Sequence, residues 1–510
     1  MRFNVCLVMA AAAVLAGAPL CAQASGKPPE APAKAIPPME PVVARVFGGA
    51  QDDVLSSMVV DASGAAYFVG ETKSFVDKTY NDILIVKLAA DGSLAWARTY
   101  GTPDDDRAKN YIDGKHGASA RMAALGPDGS LYVTAGSMVT GRREPWAALL
   151  LKVSPTGELA WSRVWRPGWD NMAKFQATGS TVAVAGNRVY MAGMTGAGQT
   201  SEEGQSFLAS FDVATGDQKA IVAFDPSPGS NDRVFSAQAD GKTVLLAGWN
   251  GKTNRGQLTR FSVAGDAFKL DWSKTIPFAS TGSTACDVDR DAAGNIYLAG
   301  DIHGTGTNIE ILKLGSDGAF KWGRRYNPGA TNDRNNTRTV RVFGDKLVVA
   351  GRVGLMGTQT DADRNYGDSL LLTYDLDGKL LTEHYHFTGT ANDVVAMDGA
   401  TSVGAAGKKL YVGGYIWPYA KNHVGQWRDP NGYTVSHPSA DIPANEFTFV
   451  DVTPATLDLG KSASKAGKDL PSLTWKDVTA EVTNGTPKQA TDAPHAQQTQ
   501  FYLFTFNGLL

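Results

Sequence analysis

Asp61-Ala-Ser-Gly-Ala-Ala-Tyr-Phe-Val-Gly70 reads as a tight Ser-Gly turn followed by a short apolar strand that stops on a glycine. The ending recurs at Tyr132-Val-Thr-Ala-Gly136, Tyr190-Met-Ala-Gly193, Leu245-Leu-Ala-Gly248, Tyr297-Leu-Ala-Gly300, Val348-Val-Ala-Gly351 and Tyr411-Val-Gly-Gly414. These glycines lie 66, 57, 55, 52, 51 and 63 residues apart. A period of that length built from strands marks a propeller or similar array, not a conventional single-core domain.

Working outward from the first copy, Ser57–Asp61 alternates and forms a strand before the turn, and Ala66–Gly70 forms the second. A loop runs to Asp82. Ile83-Leu-Ile-Val-Lys-Leu88 is a third strand, Ala90-Asp-Gly92 a turn, and Leu94-Ala-Trp-Ala-Arg-Thr-Tyr100 a fourth. β-Branched and aromatic runs bounded by Asp-Gly or Ser-Gly are hairpin signals. Four antiparallel strands per unit and seven units predict an all-β fold, a seven-bladed β-propeller.

The third turn carries its own signature. Leu88-Ala-Ala-Asp-Gly92-Ser-Leu-Ala-Trp96, Val153-Ser-Pro-Thr-Gly157-Glu-Leu-Ala-Trp161 and Leu314-Gly-Ser-Asp-Gly318-Ala-Phe-Lys-Trp322 share one pattern, with looser copies at Val213, Val263 and Leu376. A tryptophan on an outer strand is expected to pack between adjacent blades. The Asp-x-x-Gly-x-x-Tyr-x-x-Gly element (Asp61–Gly70, Asp291–Gly300) and Lys-x-x-x-x-Gly-x-x-x-Trp (Lys87–Trp96, Lys152–Trp161, Lys313–Trp322) resemble the SBBP family of bacterial β-propeller repeats. The likeness covers most of residues 42–415. It implies a seven-bladed propeller on an exported protein and brings no catalytic residue with it.

The chain's two ends are predicted to share the last blade. Phe501-Tyr-Leu-Phe-Thr-Phe-Asn-Gly508 reads as a third strand reaching its turn, where the chain stops. Val42-Val-Ala-Arg-Val-Phe-Gly48 resembles the fourth strand Trp96-Ala-Arg-Thr-Tyr-Gly101 and is expected to pair with 501–507. Closure of this kind removes exposed sheet edges. It leaves an insertion over 416–500 between the second and third strands of blade seven, within a propeller spanning 42–510. Inside the insertion, Phe447–Val452 and Leu473–Val478 look like a hairpin of their own.

Residues 1–24 read as a secretory signal: Arg2, an apolar stretch from Val5 to Leu20, and the small-x-small site Ala22-Gln-Ala24. Residues 25–41, holding six prolines, read as an extended tether. The expected location is periplasmic or secreted. The folded part then keeps one cysteine, Cys286, so no internal disulfide forms; its sequence context suggests a buried, inert thiol. Losing Arg2 with the signal moves the net charge from −3 to −4, which gives no footprint for nucleic acid. No second apolar stretch reaches membrane-spanning length, and the expected state is a monomer.

Strand alternation puts the first-to-second and third-to-fourth turns, all tight, on one face. The connections 71–82, 101–117, 137–145, 194–205, 301–308, 352–367 and 416–500, long and varied, lie on the other. Function usually sits on variable loops held by a rigid scaffold. One set there is acidic: Asp53, Asp105, Asp170, Asp232, Asp333 and Asp393 recur at blade entries, where oxygen ligands suit a hard cation such as calcium. The competing reading is that each caps a tight turn. The second set does not repeat: Arg142, Arg143, Trp146, Trp165, Trp169, Trp249, Arg255, Arg352, Arg364, Tyr366, Trp417, Tyr419 and Trp427. Aromatic platforms with charges between them suit glycan or peptide ligands.

The pair His384-Tyr-His386 lacks the further ligands a metal site needs. No nucleophile elbow or zinc-protease motif occurs. The leading reading is therefore an exported binding or scaffold protein of the cell envelope, taking a glycan, peptide or protein partner on its long-loop face. A carbohydrate-active lyase or hydrolase is the alternative, and would need acidic or basic groups converging at the channel mouth. A PQQ-type quinoprotein is a second alternative, since Gly-x-x-x-Trp also resembles the docking motif of those propellers. Seven blades rather than eight, and no adjacent cysteine pair, count against it.

Overall fold

Six of the recurring glycines face a bulge in the strand beside them, whereas Gly136 of blade two faces the Trp146 side chain. In the computed structural model the first strand of six blades carries a bulge, between Leu55 and Ser57, Gly179 and Thr181, Val234 and Ser236, Ala285 and Asp287, Thr337 and Thr339, and Ala400 and Ser402. The residue just before the bulge pairs with the glycine. A backbone carbonyl is thereby driven over the second strand: a Cβ on Gly70 would lie 2.0 Å from the Val54 oxygen, and one on Gly248 1.8 Å from that of Arg233. No other residue fits. Many of the tight turns are fixed by carboxylates; Asp61 Oδ1 accepts the N–H groups of Ser63 (2.9 Å) and Ala65 (3.0 Å) while Gly64 takes φ +88°.

The structure describes residues 41–510 apart from 49–50, 52, 77–79, 102–104, 109–120, 139–145, 166–174, 198–204, 227–229, 231, 277–282, 303–308, 328–335, 354–367, 388–396, 418–425, 429–436, 442–449, 453–454, 458–464, 467–473, 478–480 and 485–499. The signal and tether expected over 1–41 lie almost wholly outside the described residues. Among those described there is no helix, and seven antiparallel sheets form a seven-bladed β-propeller. Blade one, for example, is Asp53–Val60, Ala66–Thr72, Asp82–Leu88 and Leu94–Gly101. First strands of successive blades touch around the channel. Apolar side chains gather in seven clusters, one at each seam between neighbouring blades. Each fully buried one contributes about 1.5–3 kcal/mol, so the seams hold the ring together.

Blade seven closes as predicted. Val43–Gly48 pairs with Gln500–Asn507 in the register Val43↔Thr505 to Phe47↔Phe501, and Gln500–Asn507 pairs in turn with Lys409–Trp417.

The outer seam explains the Lys…Gly…Trp signature. Lys152 Nζ and Trp161 Nε1 both donate to the Val213 carbonyl, at 3.1 and 3.4 Å, in the third turn of the next blade. Lys313 and Trp322 do the same to Leu376, at 2.9 and 3.2 Å, and Lys87 and Trp96 to Pro155, at 3.2 and 3.1 Å. Two residues on, Arg163 Nε reaches the Gly216 carbonyl at 2.7 Å and Arg324 Nε that of Gly378 at 2.6 Å. The tryptophans are thus inter-blade clasps, as their position on an outer strand suggests.

Two expectations fail. The segments near 447–452 and 473–478 do not pair as a hairpin. Val450–Val452 adds to the fourth strand of blade four, and Thr474–Asp477 to that of blade one. The segment after Trp417 instead travels around the rim against the blade order. Gln426–Arg428 joins blade six, His437–Asp441 blade five, Val450–Val452 blade four, Ala455–Leu457 blade three, Lys465–Ala466 blade two, Thr474–Asp477 blade one and Glu481–Asn484 blade seven. Every blade gains a short fifth strand, and unpaired fourth-strand N–H and C=O groups outcompete a local hairpin. The second failure concerns 101–117, which is more than a connection between blades. Asp106–Arg107 already belongs to the first strand of blade two, pairing with Ser137 and Gly136, and that strand resumes at Ala123–Leu125.

Candidate functional site

The bulges that demand glycine also aim a column of side chains into the next blade. The column reads Ser57, Met122, Thr181, Ser236, Asp287, Thr339 and Ser402, one per blade, all buried. Thr181 Oγ1 accepts the N–H of Ala237 (2.9 Å), Ser236 Oγ that of Val288 (3.4 Å), Asp287 Oδ2 that of Val340 (2.9 Å), and Ser402 Oγ that of Met58 (3.0 Å). In blade two, where methionine interrupts the column, the Arg121 carbonyl accepts Val182 N–H at 2.8 Å instead. A bulge serves here to redirect a side chain.

Asp287 is the one charge in that column, and the channel is built around it. Its Oδ1 accepts from Ser236 Oγ (2.5 Å), from its neighbour Val288 N (2.9 Å) and from Arg121 Nε (2.9 Å), which reaches past blades three and four. Its Oδ2 accepts from Thr339 Oγ1 (3.1 Å), Val340 N and Arg341 Nη1. Arg121 Nη2 also meets Asp289 at 3.1 Å, and Asp289 takes donors from Gln238 (2.6 Å) and Val342 N (2.8 Å). Burial alone would raise the Asp287 pKa. Arg341 and Arg121 beside it, with the Ser236 hydroxyl and Val340 N–H, outweigh burial and hold it at about 2. Burial works against the charge of Arg121 too, and Asp287 and Asp289 more than restore it. Charges from blades two, five and six thus neutralise one another in a structural knot.

Of the acidic entry residues, Asp53 accepts hydroxyls from Thr72 (2.5 Å) and Ser74 (2.8 Å), Asp105 accepts Asn81 N (3.0 Å) and Arg107 Nη2 (2.6 Å), and Asp232 accepts Gly251 N (3.0 Å). Asp53 and Asp232 serve turns of their own blades, and Asp105 ties the entry of blade two to the loop before the third strand of blade one. Asp170, Asp333 and Asp393 lie outside the described residues, among which no three His, Cys, Asp or Glu gather as a metal site. Cys286 faces the Asp301 carboxylate at 3.5 Å. Burial first, then that carboxylate, push its thiol pKa well up, so it stays protonated and unreactive.

The unrepeated aromatic and charged residues divide. Trp165 is core, its ring 4.6 Å from that of Phe207. Trp146, half-buried, carries the Arg107 guanidinium 5.8 Å from its ring. Arg352 is buried on the second strand of blade six. Trp417 closes the second strand of blade seven opposite Met397, whereas Trp427 lies on the rim strand paired with blade six, opposite His386. Arg142, Arg143, Trp169, Arg364, Tyr366 and Tyr419 lie outside the described residues.

Trp249 and Asp232 come together in blade four, and Arg255 opens the third strand there, paired with Asn250. There the second-to-third connection is only the turn between Asn250 and Arg255, so the long-loop face dips. Trp249 is half-exposed, with Arg233 5.2 Å over its ring and its indole N–H donated to Asn254 Oδ1 at 3.1 Å. Asn254 holds φ +53°, the one positive value outside glycine among the described residues. Below lies a small cleft between blades three and four, lined by Ser206, Phe224, Asp232, Arg233, Trp249, Gln257 and Thr259. Its floor is polar, as in blade five but unlike the leucine, alanine, phenylalanine or tyrosine of the remaining blades: Gln257 Nε2 donates to Ser273 Oγ (2.7 Å), and Asn250 Nδ2 and Thr275 Oγ1 donate to Gln257 Oε1 (3.2 and 3.1 Å). Sequence reasoning found Trp249 and Arg255 but missed Gln257 and Arg233. The signal lies in the glycine-aligned column of third-strand residues, Leu84, Ala148, Phe207, Gln257, Glu310, Leu370 and Tyr502, where Gln257 and Glu310 break the apolar run.

Fold and seams define the class: this is a seven-bladed β-propeller protein. No protein-family model and no curated protein matches the chain. Among solved structures it is similar to a phage phi92 endosialidase, at 10% identity over 81% of this chain and 69% of that one, with a TM-score of 0.39. It is also similar to Drosophila Plexin A in complex with Semaphorin 1b (8% identity, 77% and 87% covered, TM-score 0.39). An exotype rhamnogalacturonan lyase, YesX, matches at 14% identity with 75% and 74% covered and a TM-score of 0.28. At such scores none of them bears on what this chain does.

Proposed function

We propose that the chain is an exported binding or scaffold protein of the cell envelope, of the SBBP repeat kind, that presents its long-loop face to a glycan, peptide or protein partner. The supporting observation is the use to which the channel charges are put. Acid–base chemistry wants a carboxyl whose pKa lies near the working pH. Asp287, buried under six donors and held at about 2, has the opposite character. The blade-four notch by contrast offers an aromatic ring, an arginine, a carboxylate and buried amide and hydroxyl groups on the elaborated face, a composition suited to a polar ligand.

The test is binding of the wild type, Trp249→Ala and Arg255→Ala to immobilised glycans, cell-wall fragments and peptides. Saturable binding is expected, weakened about tenfold or more by Trp249→Ala, with an unchanged denaturation midpoint. No ligand in the panel, or steady release of soluble sugar products, contradicts the proposal; the second result supports the enzyme alternative.

A further inference from the structure

The rim segment does more than cap edges. It leaves blade seven after Lys409–Trp417 and returns as Gln500–Asn507, the adjacent strand of the same sheet, with Ile416 and Gln500 directly paired. Between those points it touches the fourth strand of every blade once. The two anchored ends make it a closed loop around the ring. In six blades its contacts fall on the C-terminal halves of the fourth strands, as in Arg98–Gly101, Ser273–Thr275 and Tyr385–Phe387, and in blade seven on Arg45–Gly48. One level of the rim is therefore encircled, the level next to the long-loop face. Glu481–Asn484 lies on the free edge of Val43–Gly48, so the strand that closes the ring is held on both sides by C-terminal chain.

We propose that residues 417–499 act as a hoop that sets the rate at which the propeller opens. A blade that swings outward must break its rim pairing or carry the hoop with it. Individual pairings of two to five residues are weak. Their effect is collective because one continuous segment links all seven. Contacts that must break before the opening barrier is crossed slow unfolding by up to their full contribution to stability.

The experiment cuts the hoop after the full chain has folded. A recognition sequence for a site-specific protease is inserted in the 458–464 connection, and as control in 198–204, which joins adjacent strands of blade three. Unfolding in guanidinium is followed by tryptophan fluorescence for cut and uncut protein. The hoop cut is expected to speed unfolding about tenfold or more, and the control cut far less, although both leave two non-covalently held pieces. Equal acceleration by the two cuts, or none by either, overturns the proposal. A second arm leaves the chain intact and removes rim donors with Asp451→Pro and Lys476→Pro. Faster unfolding at an unaltered circular dichroism spectrum supports the hoop, and an unaltered rate contradicts it.

Discussion

The seam between blades seven and one and the seam between blades five and six use the same position in different ways. At the first, Ser402 takes the Met58 N–H and the account closes. At the second, Asp287 does that duty for Val340 and draws in Arg121 and Arg341 besides. The bulge geometry is common to both, so the difference lies in the side chain alone. A hydroxyl joins two neighbours. A carboxylate can hold a residue from across the ring, at the cost of making buried charges depend on one another.

The comparison is broken most severely by Asp287→Asn, which leaves Arg121 and Arg341 buried without their counter-charge. A loss of about 3–5 kcal/mol is expected by chemical denaturation. Next comes Gly248→Ala, where the added Cβ meets the Arg233 carbonyl at 1.8 Å and the backbone must shift; about 2–3 kcal/mol is expected. The charged seam also has a pH signature that the neutral one lacks. The folded pKa of Asp287 lies below its ordinary value, so its contribution is full above about pH 4 and is lost as the pH falls toward about 2. Relative to an Asp287→Ser, Arg121→Met double variant, the wild type should lose roughly 2 kcal/mol across that window. Acid titrations of both, read as denaturation midpoints, check it. Ser402→Ala, which orphans one buried N–H, is the mildest at about 1–2 kcal/mol.

What could be read in the sequence follows from what repeats. The glycine column announced the blades because, at Gly70, Gly193, Gly248 and Gly414, a carbonyl occupies the space of the missing Cβ. The Lys…Gly…Trp signature announced the outer clasp because both donors share one acceptor. The shared last blade was legible in Phe506-Asn-Gly508, which reproduces a blade turn. The rim segment was not, since pairings as short as Lys465–Ala466 leave no period. Nor was the channel knot, whose members Arg121 and Asp287 are joined only by the closed ring. The Ser/Thr column around Asp287 held the clue, but its register depends on bulges that alternation alone does not reveal. At the candidate site, Trp249 and Arg255 stood out by residue type, whereas Asp53, Asp105 and Asp232 repeat with the fold and serve it.

The central claim is that the channel charges hold the scaffold together while the loop face does the work. A double-mutant cycle on Arg121 and Asp287 tests it most directly, with stability and partner binding measured on the same four proteins. The account predicts a coupling of about 2–3 kcal/mol in stability, with binding intact in every variant that folds. Coupling near zero, together with lost binding or turnover in a fully stable variant, would contradict it.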